Sequence, residues 1–150
     1  MALTELKGKQ MGTQRVTIER GPVRTFARAI KDDSPEFDGP DAPVPATFPF
    51  VMAYWGSQGV GGASTLPIEK LRGPGRMILH GEQEFEFRGW PHVGQTLEGS
   101  TQVADVYEKN RSNGGKMEFY VTETDWKDAE SGDPVVTTRF TLIVNVRPLE

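Results

Sequence analysis

Two histidines, His80 and His92, and a set of clustered carboxylates are the groups in this sequence able to move a proton near neutral pH. There is no cysteine to act as a nucleophile. His80 opens the run His80-Gly81-Glu82-Gln83-Glu84-Phe85-Glu86. Read with a period of two, it shares one strand face with Glu82, Glu84 and Glu86, while Leu79, Gln83, Phe85 and Phe87 share the other. A carboxylate beside an imidazole raises its pKa and orients it, which would make His80 a general base. The plainer alternative is a histidine that bonds a turn or a partner subunit. The second cluster comprises Asp32, Asp33, Glu36, Asp38 and Asp41, with no basic residue between positions 32 and 50. Pro35, Gly39, Pro40, Pro43 and Pro45 make this segment an irregular loop, whose carboxylates are either solvated or turned toward a cleft. His92, between Pro91 and Val93, reads as an exposed loop residue. Two imidazoles and no thiol are too few for a zinc cage, so no metal is expected.

These groups sit in a chain of 150 residues with 17 basic and 21 acidic side chains, a net charge of -4. That balance gives no electrostatic footprint for nucleic acid. The longest mostly apolar stretch, Phe48 to Trp55, is interrupted by Pro49 and falls far short of the ~20 residues of a membrane span. No apolar leader opens the sequence, and the absence of cysteine permits a reducing compartment; the expectation is a cytoplasmic protein with no membrane partner. The length suits one domain, residues 1–150, around one core.

The elements that position the candidate groups follow from periodicity. Val16 and Ile18 alternate with polar neighbours in a short strand. Gly21 and Pro22 read as the start of a helix that buries Val23, Phe26, Ala27 and Ile30 at i, i+3, i+4 and i+7. Thr47 is placed to cap a second helix running to about Gly56, apolar on nearly every side and therefore enclosed. One turn of structure is expected between Leu66 and Leu71. From Met77 the period becomes two, giving strands around Phe85, Val103, Phe119 and Leu142, with turns at Asn113-Gly114-Gly115 and Ser131-Gly132-Asp133-Pro134. An early strand, an apolar helix and four consecutive strands predict an α+β hot dog, a single curved antiparallel sheet wrapped around a central helix.

Short segments spread along this pattern resemble the MaoC-like dehydratases, in particular their N-terminal, FAS1-like dehydratase type. They are Phe26-Ala27-Arg28-Ala29-Ile30, Pro45-Ala46-Thr47-Phe48, Leu79-His80-Gly81-Glu82-Gln83, Gly94-Gln95-Thr96-Leu97, Tyr107-Glu108-Lys109 and Gly114-Gly115-Lys116-Met117. The chain departs from the family at Gly89-Trp90, where Arg-Pro is frequent, and at Gln95, where Asp is usual. The resemblance implies water addition or removal across the 2,3 bond of an acyl thioester carried by coenzyme A or acyl carrier protein. That chemistry needs acid, base and an oxyanion site, so no metal or redox cofactor is expected. Catalytic members carry Gly-Asp-x-Asn-Pro-hydrophobic-His after the first helix. Laid on residues 31–37, Asp32 matches the Asp and Pro35 the Pro, while Lys31 stands for Gly, Ser34 for Asn and Glu36 for the hydrophobic residue. Phe37 occupies the position of the catalytic His, and a phenyl ring moves no proton.

The resemblance therefore implies a non-catalytic, acyl-binding subunit, with Asp32 a vestigial motif position. Phe48, Phe50, Tyr54 and Trp55 would line the acyl path, although the last three are also simply core residues. The partner would be a catalytic MaoC-like hot dog subunit or a second copy of the chain. The rival is a self-sufficient homo-oligomeric hydratase that pairs Asp32 or Asp33 with His80. An acyl-thioester-binding module and a hot dog thioesterase are further alternatives; the thioesterase is disfavoured because residues 48–56 hold no carboxylate.

Overall fold

The alternating segments become five antiparallel strands in a computed structural model that describes residues 1–52, 66–112 and 114–148. They are β1 (Gln10–Thr17), β2 (Arg76–Phe87), β3 (Thr96–Asn110), β4 (Lys116–Asp128) and β5 (Pro134–Val146). They form one curved sheet in the order β1-β3-β4-β5-β2, the hot dog arrangement. β3, β4 and β5 are joined as successive hairpins, so β1 and β2 become the edges. β1 starts earlier than the sequence pattern suggests, because Gly12 to Thr17 pair in continuous register with Thr101 to Thr96 of β3 even where their side chains face solvent.

The first helix, α1 (Arg20–Ala29), begins with Glu19 as its N-cap, ahead of the expected Gly21-Pro22 start. Val23 and Ala27 are buried and Phe26 packs against the core. Ile30 is not part of that face: it is the C-cap residue, where the chain leaves the helical path, and it is 46% exposed. At the expected second helix the described residues form a 3-10 turn, Phe48–Phe50, with no side-chain cap from Thr47. Phe48 and Met52 are buried as that expectation requires. The rest of the expected helix, with Tyr54 and Trp55, lies outside the described residues. The single turn expected before β2 is α2 (Ile68–Leu71). No described helix is long and apolar enough to cross a membrane.

Two apolar clusters line the sheet. One joins α1 and Phe48 to Val16, Leu97, Trp126 and Val136. The other joins Leu66 and Leu71 to Val103, Tyr120, Leu142 and Val144. Within the second, Glu118 is fully buried and held by the Arg76 guanidinium at 3.1 and 2.6 Å and by the Tyr120 hydroxyl at 2.7 Å. Arg76 also donates to the Leu71 carbonyl at 2.9 Å, tying α2 to the start of β2. Burial alone would push the Glu118 carboxyl up, but its hydrogen bonds from Arg76 and Tyr120 hold it below the usual range. Burial pushes the Tyr120 hydroxyl up to about 12.

Candidate functional site

The acidic loop starts where α1 stops, and the stop has a specific geometry. The Lys31 N–H donates to the Arg28 carbonyl at 3.0 Å and the Asp32 N–H to the Ala27 carbonyl at 2.9 Å, the paired bonds of a Schellman cap. Such a cap puts the intervening residue in the left-handed region, and Lys31 has φ 61°. The backbone at Lys31 thus takes a conformation that favours glycine while the side chain is lysine.

Beyond the cap, the Asp32 carboxylate accepts from the Ser34 N–H at 3.1 Å, and residues Pro35–Asp38 form a 3-10 turn. Arg24 of α1 fastens that turn through Asp38 at 2.9 Å. The turn drives Phe37 into the core, where it is 7% exposed within the same cluster as Val23, Val44 and Phe48. Asp32 and Glu36 flank a cleft of about 520 Å³ that Phe37, Thr47 and Trp90 also line. Trp90 is fixed there by its indole N–H, which donates to the Val44 carbonyl at 2.9 Å, and by stacking on Phe87 with 4.3 Å between centroids. A smaller cleft, about 160 Å³, runs behind the loop, lined by Arg24, Arg28, Asp32, Asp33 and Asp38. The sequence marked Trp90 only as a departure from the family pattern; its role as a wall of the larger cleft arises from a contact with residue 44 that no local pattern announces.

His80 stands elsewhere. The register of β2 against β5 shifts between His80, opposite Leu142, and Glu82, opposite Thr141, which leaves Gly81 as an extra residue in a β-bulge. Directly opposed residues share a face, so the bulge reverses the alternation. His80 lies with Gln83, Phe85 and Phe87 on the face of the buried Leu142 and Val144, whereas Leu79 joins Glu82, Glu84 and Glu86 on the other. The expected His80–glutamate face is therefore corrected. The imidazole stacks on Phe50 at 5.4 Å and meets the edge of Phe140 at 4.7 Å between centroids. A Cβ at Gly81 would fall 2.5 Å from Ile143 Cδ1 and 3.1 Å from the Thr141 carbonyl oxygen, so the Ile143 side chain would have to shift. Among the described residues, the two clefts that Asp32 and Asp33 line do not include His80.

Of the residues expected to line an acyl path, Phe48 is buried edge-on against Phe26, 5.5 Å between centroids, and Phe50 is 38% exposed beside His80. Tyr54 and Trp55 lie outside the described residues. His92 is exposed, in a loop stitched to the residues before Thr47 by Val44 N–H to Pro91 carbonyl (3.0 Å) and Val93 N–H to Ala42 carbonyl (2.8 Å). Among the described residues, no group of three or more His, Asp or Glu side chains could hold a metal ion.

Comparison with known proteins places this arrangement. No curated protein matches the chain. Among solved structures, the C-terminally truncated HadBC (3R-hydroxyacyl-ACP dehydratase) complex of Mycobacterium tuberculosis is similar at TM-score 0.65 and 20% identity, over 92% of this chain and 96% of that one. The ChsH1-ChsH2 complex of the same organism is similar at TM-score 0.66 and 15% identity, over 94% and 86%. A MaoC-like dehydratase of Rhodospirillum rubrum is similar at TM-score 0.63 and 16% identity, over 99% of both chains. At these identities the likeness is one of fold. The family is shown by the sequence itself: the model of the FAS1-like, dehydratase domain region matches residues 5–138, which span α1 and its Schellman cap, the acidic loop and nearly all of the sheet, and the chain belongs to that family.

Proposed function

We propose that this chain is the non-catalytic, acyl-binding subunit of a heteromeric enoyl-thioester hydratase or 3-hydroxyacyl-thioester dehydratase acting on an acyl-coenzyme A or acyl-carrier-protein substrate in the cytoplasm. The observation that carries the reading is Phe37, a buried phenyl ring at the position where the resembled motif has its histidine. Hydration requires one group to take a proton from water as its oxygen bonds to C3 and another to deliver a proton to C2. Asp32 has no proton-transfer partner in its own loop, so the acid–base pair belongs to the other subunit. A matching hot dog chain supplies that pair together with backbone N–H groups for the thioester oxygen. This chain contributes apolar surface, with Phe48 and Phe50, joined by Tyr54 and Trp55, lining the acyl path.

The test is hydration of crotonyl-coenzyme A by the chain alone and after co-purification with a neighbouring gene product that carries the complete motif. Activity is expected only in the complex. There Asp32→Asn should change the rate little, whereas loss of the partner's motif Asp or His should cost about 10²–10⁴. Activity of the isolated chain that collapses in a folded His80→Ala variant would replace this reading with the homo-oligomeric hydratase.

A further inference from the structure

β2 is an edge strand with β5 as its single neighbour among the described residues. After the Gly81 bulge it runs in unbroken register from Glu82 to Phe87, a stretch regular enough to accept another strand. The side chains it presents on the outer face there are Glu82, Glu84 and Glu86, all exposed. Their compensation is incomplete. Arg139 is shared between Glu84 at 2.7 Å and Glu123 at 2.6 Å, Arg88 meets Glu86 at 3.1 Å, and Glu82 has no counter-ion among the described residues. Next to this acidic stretch, on the same face, Leu79 and Met77 are 40% and 44% exposed, an apolar surface left uncovered at the same edge.

Residues directly opposed across an antiparallel pair lie on the same face, and like charges so placed are destabilising. If two copies of this chain joined through β2 about a two-fold axis, registers centred from Glu82 to Glu84 would set glutamate against glutamate with no base opposite, whereas those centred at Phe85 or Glu86 would also bring Arg88 opposite Glu82 or Glu84. We propose that this edge selects its partner by charge, and that the occupant is a different hot dog chain whose edge strand carries lysine or arginine at alternate outward positions, rather than a second copy. The inference rests on the paired assembly proposed above and names the surface by which that assembly excludes homodimers.

A charge-reversed copy of this chain, Glu82→Lys/Glu86→Lys, serves as the basic-edged probe and leaves the Glu84–Arg139–Glu123 group intact. Sedimentation and native mass spectrometry of wild type, variant and their equimolar mixture read the outcome without any substrate, so it is separable from the hydratase assay. The expected result is a mixed dimer, about tenfold or more tighter than either self-pair, with residues 82–87 protected from hydrogen exchange and association weakened by salt. A wild-type dimer protected at residues 82–87, or a mixture that stays monomeric at low ionic strength, overturns the proposal. If the lysine variant does not fold, Glu82→Gln/Glu86→Gln decides: the neutral copy should self-associate more tightly than wild type, and equal or weaker association overturns the proposal.

Discussion

The acidic loop after α1 and the middle of β2 are two places where a proton-transfer group could stand, and they contrast in backbone and side chain. In the loop Lys31 takes the left-handed conformation and Asp32 lies beside a cleft, while Phe37 is a buried phenyl ring. β2 offers an imidazole, but Gly81 turns it away from the glutamates and between two phenyl rings. Backbone geometry and side-chain chemistry are separate requirements, and a competent acid–base site needs both at one point.

The comparison can be broken most directly by giving the loop back its imidazole. Phe37→His restores the motif residue, yet position 37 is buried among apolar side chains, so the ring loses packing and gains an unpaired polar atom. We expect a loss of about 2–4 kcal/mol in urea unfolding and no hydratase activity in the isolated chain. Activity appearing in that variant would mean that the loop lacks only its base. On the strand, Gly81→Ala forces a methyl group onto Ile143, and we expect a cost of about 1–3 kcal/mol. An unaffected midpoint would show that the bulge relaxes freely and that the facing of His80 is not fixed. The smallest effect belongs to the helix cap. Lys31→Gly relieves about 1–2 kcal/mol of left-handed strain and returns part of it as unfolded-chain entropy, a net gain of about 0.5–1 kcal/mol readable as a higher Tm. A loss on that substitution would show that the lysine side chain holds the loop.

The strands were legible because alternation over β3, β4 and β5 is long and their turns carry Gly and Pro. The direction of His80 was not, because one inserted residue reverses every later side chain and its sole local sign is a glycine inside a strand pattern. Ile30 misled for a related reason: its spacing is helical, but the peptide chain leaves the helix before the side chain can turn inward. That position 37 carries a phenyl ring with no group to move a proton is plain from the sequence, whereas the wall that Trp90 builds depends on a loop 46 residues away in sequence.

The buried Glu118 also constrains how this sequence can vary. Its charge is balanced by Arg76, 42 residues away, and its carboxylate also accepts from the Tyr120 hydroxyl on its own strand. Replacing Arg76 alone would strand a carboxylate in the core, and replacing Glu118 alone would leave the Arg76 guanidinium without its carboxylate and the Tyr120 hydroxyl without its acceptor, whereas joint replacement by apolar residues removes the charge conflict and frees the Leu3 N–H and the Leu71 carbonyl. Positions 76, 118 and 120 are therefore strongly epistatic: the effect of a substitution at one is set by the residues at the other two. Variation there is expected to move as a block, and a library that samples these sites singly would record three intolerant positions where the fold contains one interchangeable unit.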